Sequence, residues 1–388
     1  MLQIDHIYEF LYQEIFREFS FWHLPTGAPK LGNINIHDIS IFTHKEIADR
    51  KIIFYDQEPF ISQMYIPYME IFNYSPCPGA LVTSEYSEEV NTFVKNNNLK
   101  SLYYFFHGFA ALDWYRGYHA LNYNESIVKQ YNHDFISFNR IINNDRSYRI
   151  YFVSLLKEQG LLDHGQVSFN VTDNLFDDWR DEVADPNSKL SEQAKQHAER
   201  HLVNTDKLII DRAELPGSAS ADIPRNVQGW FYPGKEPPSI NSFWHVVTET
   251  VFYYNKLHLT EKIFKPIVSK QPFMLLAAPG NLEYLRSYGF KTFDGIIDES
   301  YDTITDNDQR IEAVVKQLAW YCNLSDSEKI NVVRAVEPIV LHNFHHFYND
   351  FKHIITNEFI DNIKQLYSEL NFNDSNINYK SIYHLLTC

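Results

Sequence analysis

Glycine is scarce in this chain: 13 of 388 residues, about half the usual ~7%. Neither G-x-G-x-x-G nor G-x-x-x-x-G-K-[ST] occurs, so no glycine-rich loop is present to cradle a phosphate. A phosphate ligand would be met by side chains and helix ends. Cysteine is equally sparse. Cys77, Cys322 and Cys388 are scattered, odd in number and without C-x-x-C spacing, which excludes a disulfide framework and a cysteine-rich zinc motif. This usage suits a reducing compartment, and the expected location is the cytoplasm, or the host cytoplasm for a viral protein. No stretch of 18 apolar residues exists, so no membrane span is expected. The opening segment, MLQIDHIYEFLYQEIF, carries Asp5, Glu9 and Glu14 and lacks a basic n-region, which reads as an amphipathic helix and not as a signal peptide. Positive charge is in the minority, with Lys+Arg 34 against Asp+Glu 50 and a net charge of −16. Such a field repels phosphate backbones and anionic lipid surfaces, which argues against a non-specific nucleic-acid or membrane-surface binder.

What remains is an ordinary globular balance, 44% apolar and 22% charged, with aromatics at 16% from 26 Tyr, 29 Phe and 6 Trp. The length allows two or three domains, each large enough for its own core. Tyrosine rings can stack on sugars or bases, but most of them are expected in the core or on ordinary surface.

Short β-type runs open the chain: INIHDISIF at 34–42, KIIFY at 51–55, GALVT at 79–83 and SLYYFF at 101–106. Helical stretches such as 87–97 separate them, the alternation expected of parallel strands with crossover helices, and this defines a first α/β domain over 1–130. DFISF at 134–138 begins a second domain over 131–388, followed by a helix at 145–159 with Gly160 as its stop. Residues 173–234 turn polar and read as an insertion that includes the helical KLSEQAKQHAERHL. Order resumes with SFWHVVTETVFY at 242–253, a helix near Thr260, the strand FMLLA at 273–277, a helix at 281–288 closed by Gly289, and carboxyl-terminal helices. Two consecutive α/β units without glycine fingerprints suggest paired Rossmann-like domains facing a central cleft.

The most informative stretch is LTEKIFKP at 259–266. Thr260 suits the N-cap of a helix, which places Glu261 and Lys262 in the first turn, where free N–H groups and the dipole favour an anion. A carboxylate for ribose hydroxyls beside an ammonium for a diphosphate is what a sugar nucleotide needs. The same residues also suit an ordinary capped helix. Upstream, Glu249 in VTET lies late in an apolar strand, where open α/β sheets bind ligands, or serves as a strand-end capping carboxylate. His245 in the same run reads as a core histidine. In the first domain, Asp56-Gln57-Glu58-Pro59 follows KIIFY, and Ser84-Glu85 and His107-Gly108 follow the next two strands. If the sugar nucleotide is a donor, transfer of its sugar needs one carboxylate to take an acceptor's hydroxyl proton. Glu58 is the first choice and Asp56 the second.

Metal and nucleophile readings are weaker. Asp306-Asn307-Asp308 reads as a surface loop. His342, His345 and His346 fall on one helical face, but no carboxylate or cysteine completes a ligand set and the aromatic neighbours indicate packing. No G-x-S-x-G elbow is present.

Thr-Glu-Lys followed by an apolar helix and a strand resembles the donor-site motif of α-1,3-fucosyltransferases. The longer run TEKIFKPIVSKQPFMLLAAPGNLEYLRSYGFKTF, with IDESYD beyond it, resembles fucosyltransferase-like glycosyltransferases of bacteria and their viruses, over Thr260 to Asp302. DFISFNRIINNDRSYRIYFVSLLKEQGLLDHG resembles the first strand and helix of that family's carboxyl-terminal domain. The resemblance implies an α/β GT-B fold whose second domain holds a GDP- or UDP-linked sugar. Glu261 would bind ribose hydroxyls and Lys262 a phosphate. Arg149 in R-x-x-F-x-x-x-L, with Phe152 and Leu156, would contact the diphosphate, and Arg140 and Arg146 are alternatives for that role. Related sequences carry a Thr-Glu at the position of Glu249, and phage-type relatives a DQEP-like feature, but no local match carries the catalytic base over. The implied reaction is a metal-independent single displacement with inversion, with no cofactor beyond the donor. The acceptor is a glycan, a small molecule or, in a phage enzyme, a hydroxymethylated DNA base. An inactive sugar-nucleotide binder is the further alternative. Oligomeric state is left open.

Overall fold

A computed structural model of the chain describes residues 4–16, 20–23, 51–62, 79–115, 131–139, 141–169, 178–205, 208 and 241–387. The strand expected at 34–42, Arg140, Cys77, Cys388 and much of the polar segment 173–234 lie outside them. The chain divides into two units, residues 1–113 with 349–388, and residues 114–348.

The first unit is built on four parallel strands in the order β1 (Ser20–His23), β2 (Lys51–Tyr55), β3 (Gly79–Thr83) and β4 (Leu99–Tyr103). β3 is buried along its whole length, as a central parallel strand must be when both faces are covered. Helix α1 (Ile4–Phe10) continues into a π turn, and its apolar face buries Ile7, Leu11, Tyr12 and Ile15. Helix α2 (Glu88–Asn96) starts where the Ser87 hydroxyl accepts the Val90 N–H, and it seals Val90 and Phe93 over Ile53, Leu81 and Leu99. Helix α3 (Phe106–Trp114) follows β4.

The division at 113 replaces the expected boundary at 130, and it moves the carboxyl-terminal helices α11 (Lys352–Glu369) and α12 (Tyr379–Thr387) out of the second domain. Packing explains the transfer. Phe359 of α11 sits against Phe10, Tyr104 and Phe109, Asn362 donates to the Tyr103 carbonyl at 2.9 Å, and the Tyr367 hydroxyl donates to the Ile15 carbonyl at 2.5 Å. Gly108 is needed for this approach, since a Cβ there would lie 2.9 Å from the Phe351 ring.

The second unit holds four parallel strands in the order β8-β7-β5-β6, where β5 is His133–Asn139, β6 Gly165–Phe169, β7 Ser242–Thr248 and β8 Phe273–Leu276. Between β5 and β6 runs α4 (Tyr148–Glu158), which ends at Gly160 in the left-handed region (φ 68°) as its C′ position requires. The described part of the polar segment is a helix pair, α5 (Trp179–Ala184) and α6 (Glu192–His201), that buries Trp179, Ala194, Ala198 and Leu202 in this unit. Then come α7 (Phe264–Val268), α8 (Asn281–Ser287), α9 (Asn307–Cys322) and α10 (Asp326–His346). Trp244 and Phe273 close on Phe293 in edge-to-face contacts at 5.4 and 5.1 Å. Among the described residues no helix is long and apolar enough to cross a membrane.

His245 lies in β7 at 3% exposure, a core histidine as expected. Burial pushes its imidazole down to about 3, the Lys265 charge acts in the same direction, and a hydrogen bond to Gln271 opposes both. The folded state therefore favours the neutral ring. That contribution is complete above the unfolded value near 6.5 and is lost as the pH falls toward 3. Unfolding free energies from denaturant titrations between about pH 6 and 4 should fall more steeply for the wild type than for His245→Gln, by up to ~1.4 kcal/mol per pH unit. Parallel curves would contradict this assignment.

Candidate functional site

The carboxyl ends of β5 and β7 are where an open parallel sheet presents loops to a ligand. Helix α4 starts just beyond β5, and no side chain caps its first turn, because the Ser147 hydroxyl is paired with the Tyr253 hydroxyl at 2.8 Å. The loop before it is held from the side. The Asn144 N–H donates to Glu182 at 3.0 Å, and Lys189 reaches Asp145 and the Tyr254 hydroxyl. So the polar segment supports this loop through α5 and the residues between α5 and α6.

Beyond β7 the chain enters Glu249-Thr250. Glu249 is fully buried, and its carboxylate accepts the Thr260 hydroxyl at 2.6 Å, the Thr260 N–H at 3.2 Å and the Thr250 N–H at 3.2 Å. The Thr260 hydroxyl has given its proton to Glu249, so toward Lys262 it accepts. It takes the Lys262 N–H at 3.4 Å and the ammonium at 3.0 Å. The same ammonium donates to Thr250 Oγ1 at 3.1 Å and lies 3.5 Å from the Glu261 carboxylate. Glu249 thus fixes the threonine pair that orients Lys262, while Glu261 and Lys262 keep part of their surface in solvent, at 22% and 28%.

Thr260 is not the N-cap of a helix. Residues 261–263 form a turn and α7 begins at Phe264, because Pro266 has no N–H for the Lys262 carbonyl, which accepts from Lys265 instead at 3.2 Å. Glu261 and Lys262 therefore sit in a tight turn and not in a helix's first turn.

Arg149 lies in the first turn of α4 but points inward, at 4% exposure. Its guanidinium donates to the carbonyls of Ile141 (2.9 Å), Thr248 (2.7 Å) and Glu249 (3.4 Å), and its Nε is buried without a partner. It ties the β5 loop to the end of β7 and is not an open fork. Arg146 lies in the 3-10 turn before α4.

Four residues that shape this site were missed in the sequence. The Tyr148 hydroxyl donates to the Glu249 carbonyl at 2.7 Å, and its ring stacks on Phe252 at 4.0 Å. Arg310 covers Phe252 at 4.2 Å and donates to its carbonyl at 2.8 Å; burial pushes its guanidinium down to about 10. Its spacing to Val314 and Leu318 was the available signal, a charge on the buried face of α9. Asn281 holds the approach to Thr260 through the His258 N–H and the Lys256 carbonyl, both at 3.0 Å. Asp302 accepts the Leu282 and Glu283 N–H groups, so its carboxylate already fills the anion site at the start of α8.

In the first unit, Asp56 follows β2 and is fully buried, accepting the Tyr104 hydroxyl, while Ser84 donates to its carbonyl at 2.5 Å. Burial, with the Asp56 charge adding to it, pushes the phenols of Tyr8 and Tyr104 up. Glu58 is exposed two residues on. Glu85 is buried and accepts the Phe60 N–H at 2.7 Å and the Ser87 hydroxyl at 2.6 Å, which pins the DQEP turn to β3. His107 is buried in α3.

The remaining constellations are used in folding. Asp306 caps α9 through the Gln309 N–H, so the triplet read as a loop is a helix start. His342 and His346 direct Nε2 to the carbonyls of Gly289 and Tyr288, at 3.0 and 2.7 Å, while His345 is exposed. No family model, curated protein or solved structure matches the chain.

Proposed function

We propose that this protein is a glycosyltransferase of GT-B architecture that binds a nucleoside-diphosphate sugar at the carboxyl ends of β5 and β7. The observation that carries the reading is the joining of Glu249, Thr250, Thr260, Glu261 and Lys262 into one hydrogen-bonded group at a strand end. Lys262 supplies the charge for a phosphate oxygen. Glu261, half-buried beside it, supplies acceptors for ribose hydroxyls. Arg149 acts in this scheme as a positioning residue, since its donors hold the loops that carry those groups. Leaving-group charge is met by the Lys262 ammonium, and the reaction is an inverting displacement on the anomeric carbon. Proton removal from the acceptor is assigned first to Glu58, whose residue is exposed, and second to the buried Asp56.

The test is release of free sugar and nucleoside diphosphate from GDP- and UDP-linked donors without acceptor, compared between wild type and Lys262→Ala. Slow wild-type release in at least one donor, abolished by Lys262→Ala, is the expected result. Donor binding with no release from any donor would make the protein an inactive sugar-nucleotide binder.

A further inference from the structure

Away from the candidate donor site, Glu158 at the end of α4 faces His197 and His201, one helical turn apart on α6. His197 Nε2 lies 3.1 Å from one carboxylate oxygen and His201 Nε2 lies 3.7 Å from the other, while the two rings stack at 4.4 Å. Proton accounting makes this arrangement informative. Ser154 has one hydroxyl proton and gives it to the Tyr151 carbonyl at 2.7 Å. Toward His197 Nδ1, at 2.8 Å, the hydroxyl therefore accepts, and Nδ1 carries the ring's proton. A neutral His197 then turns the lone pair of Nε2 at a carboxylate oxygen, and two lone pairs at 3.1 Å need a cation between them.

A proton on His197 would satisfy that pair alone. His201 Nε2 would stay as it is, shielded from solvent and without a hydrogen-bond partner. We propose that Glu158, His197 and His201 form a binding site for one divalent transition-metal ion of the zinc type. Tetrahedral zinc with bonds near 2.0–2.1 Å sets its ligand atoms about 3.3 Å apart, and each imidazole nitrogen has a Glu158 oxygen near that distance, Oε2 at 3.1 Å from His197 and Oε1 at 3.7 Å from His201. All three ligand atoms lie within 4.8 Å of one another. Two histidines at i and i+4 with one carboxylate are a ligand set that zinc favours, and the Ser154 bond fixes the ring that donates Nε2. Lys157 does not fill the site, because its ammonium is bonded to the Thr205 hydroxyl.

The contrast with Asp134, His164 and Cys322 supports the choice. There the Lys329 ammonium already lies 2.7 and 2.9 Å from the two Asp134 oxygens, and burial pushes the Cys322 thiol up to about 12, so the cation is supplied and no thiolate is available. The ion at Glu158 would clip α6 to the far end of the helix whose first turn carries Arg149.

The experiment is calorimetric titration of the chelator-treated full chain with Zn²⁺, paired with the visible spectrum after Co²⁺ addition. One ion per chain, a tetrahedral cobalt spectrum and a raised melting temperature are expected. Ser154→Ala should weaken zinc binding by about 10–100-fold, and Glu158→Gln or His201→Ala by at least as much. His342→Ala, in the other i, i+4 histidine pair, should bind like wild type. Circular dichroism checks that each variant is folded. A wild type that binds no zinc, or that binds it as well after His201→Ala or Glu158→Gln, would overturn the site.

Discussion

Replacing Arg149 with methionine is expected to destabilise the unliganded second unit by about 2–4 kcal/mol, since a dry acceptor left unpaired costs about 1–3 kcal/mol. The Thr248 carbonyl, served at 2.7 Å, bears most of that loss. The Ile141 residue is half-exposed, so water can take over part of its bond, and the Glu249 carbonyl keeps the Tyr148 hydroxyl. At ~2–4 °C per kcal/mol for a unit of this size, the melting temperature should drop by roughly 4–16 °C. Arg149→Lys should recover little of it, because a single ammonium cannot reach carbonyls on two loops in the fork that a guanidinium spans. A residue serving only as a phosphate clamp would behave otherwise: the free protein would melt normally and donor affinity alone would fall.

Lys262→Ala is expected to show the opposite pattern. Its side chain is 28% exposed and its ammonium bonds to two threonine hydroxyls, so the unliganded melting temperature should change little. Nucleoside-diphosphate affinity should fall by about 10–150-fold, the equivalent of the ~1.5–3 kcal/mol of a hydrogen bond to a charged group. Isothermal titration of both proteins with the same nucleotide reads this directly. Equal affinities would remove Lys262 from the phosphate site.

Much of the fold was legible in the sequence, because parallel strands buried on both faces leave continuous apolar runs. KIIFY, GALVT and DFISF coincide with β2, β3 and most of β5. GQVSF, which forms β6, carries Gly165, Gln166 and Ser168 and gave no such signal; it lies at the sheet edge, with three of its five residues only partly buried. SFWHVVTETVFY reads as one long strand, yet β7 ends at Thr248, where Glu249 turns inward to take the Thr260 bonds. No local pattern announces that exchange between residues 11 apart. The destination of the carboxyl-terminal helices was also out of reach, because Phe359 and Asn362 find partners more than 240 residues away.

The candidate site divides along the same line. Residue types named Lys262, Glu261 and Glu249, and the structure groups them with Thr250 and Thr260. Arg149 shows the limit of that reasoning. Its charge suits a phosphate, but its carbonyl partners belong to loops about 100 residues apart in sequence. Glycine scarcity keeps its meaning: the proposed phosphate contact is a lysine in a turn, and no glycine loop is needed for it.

The central claim is that the second unit binds a nucleoside diphosphate through Lys262. Calorimetric titration of the full chain with GDP, UDP and the other common nucleoside diphosphates tests it most directly. The expected result is one site per chain for at least one base, with a raised melting temperature, ~2.7 kcal/mol of stabilisation at 100 times Kd, and loss of affinity in Lys262→Ala. No binding by any nucleoside diphosphate, with the protein folded, would contradict it.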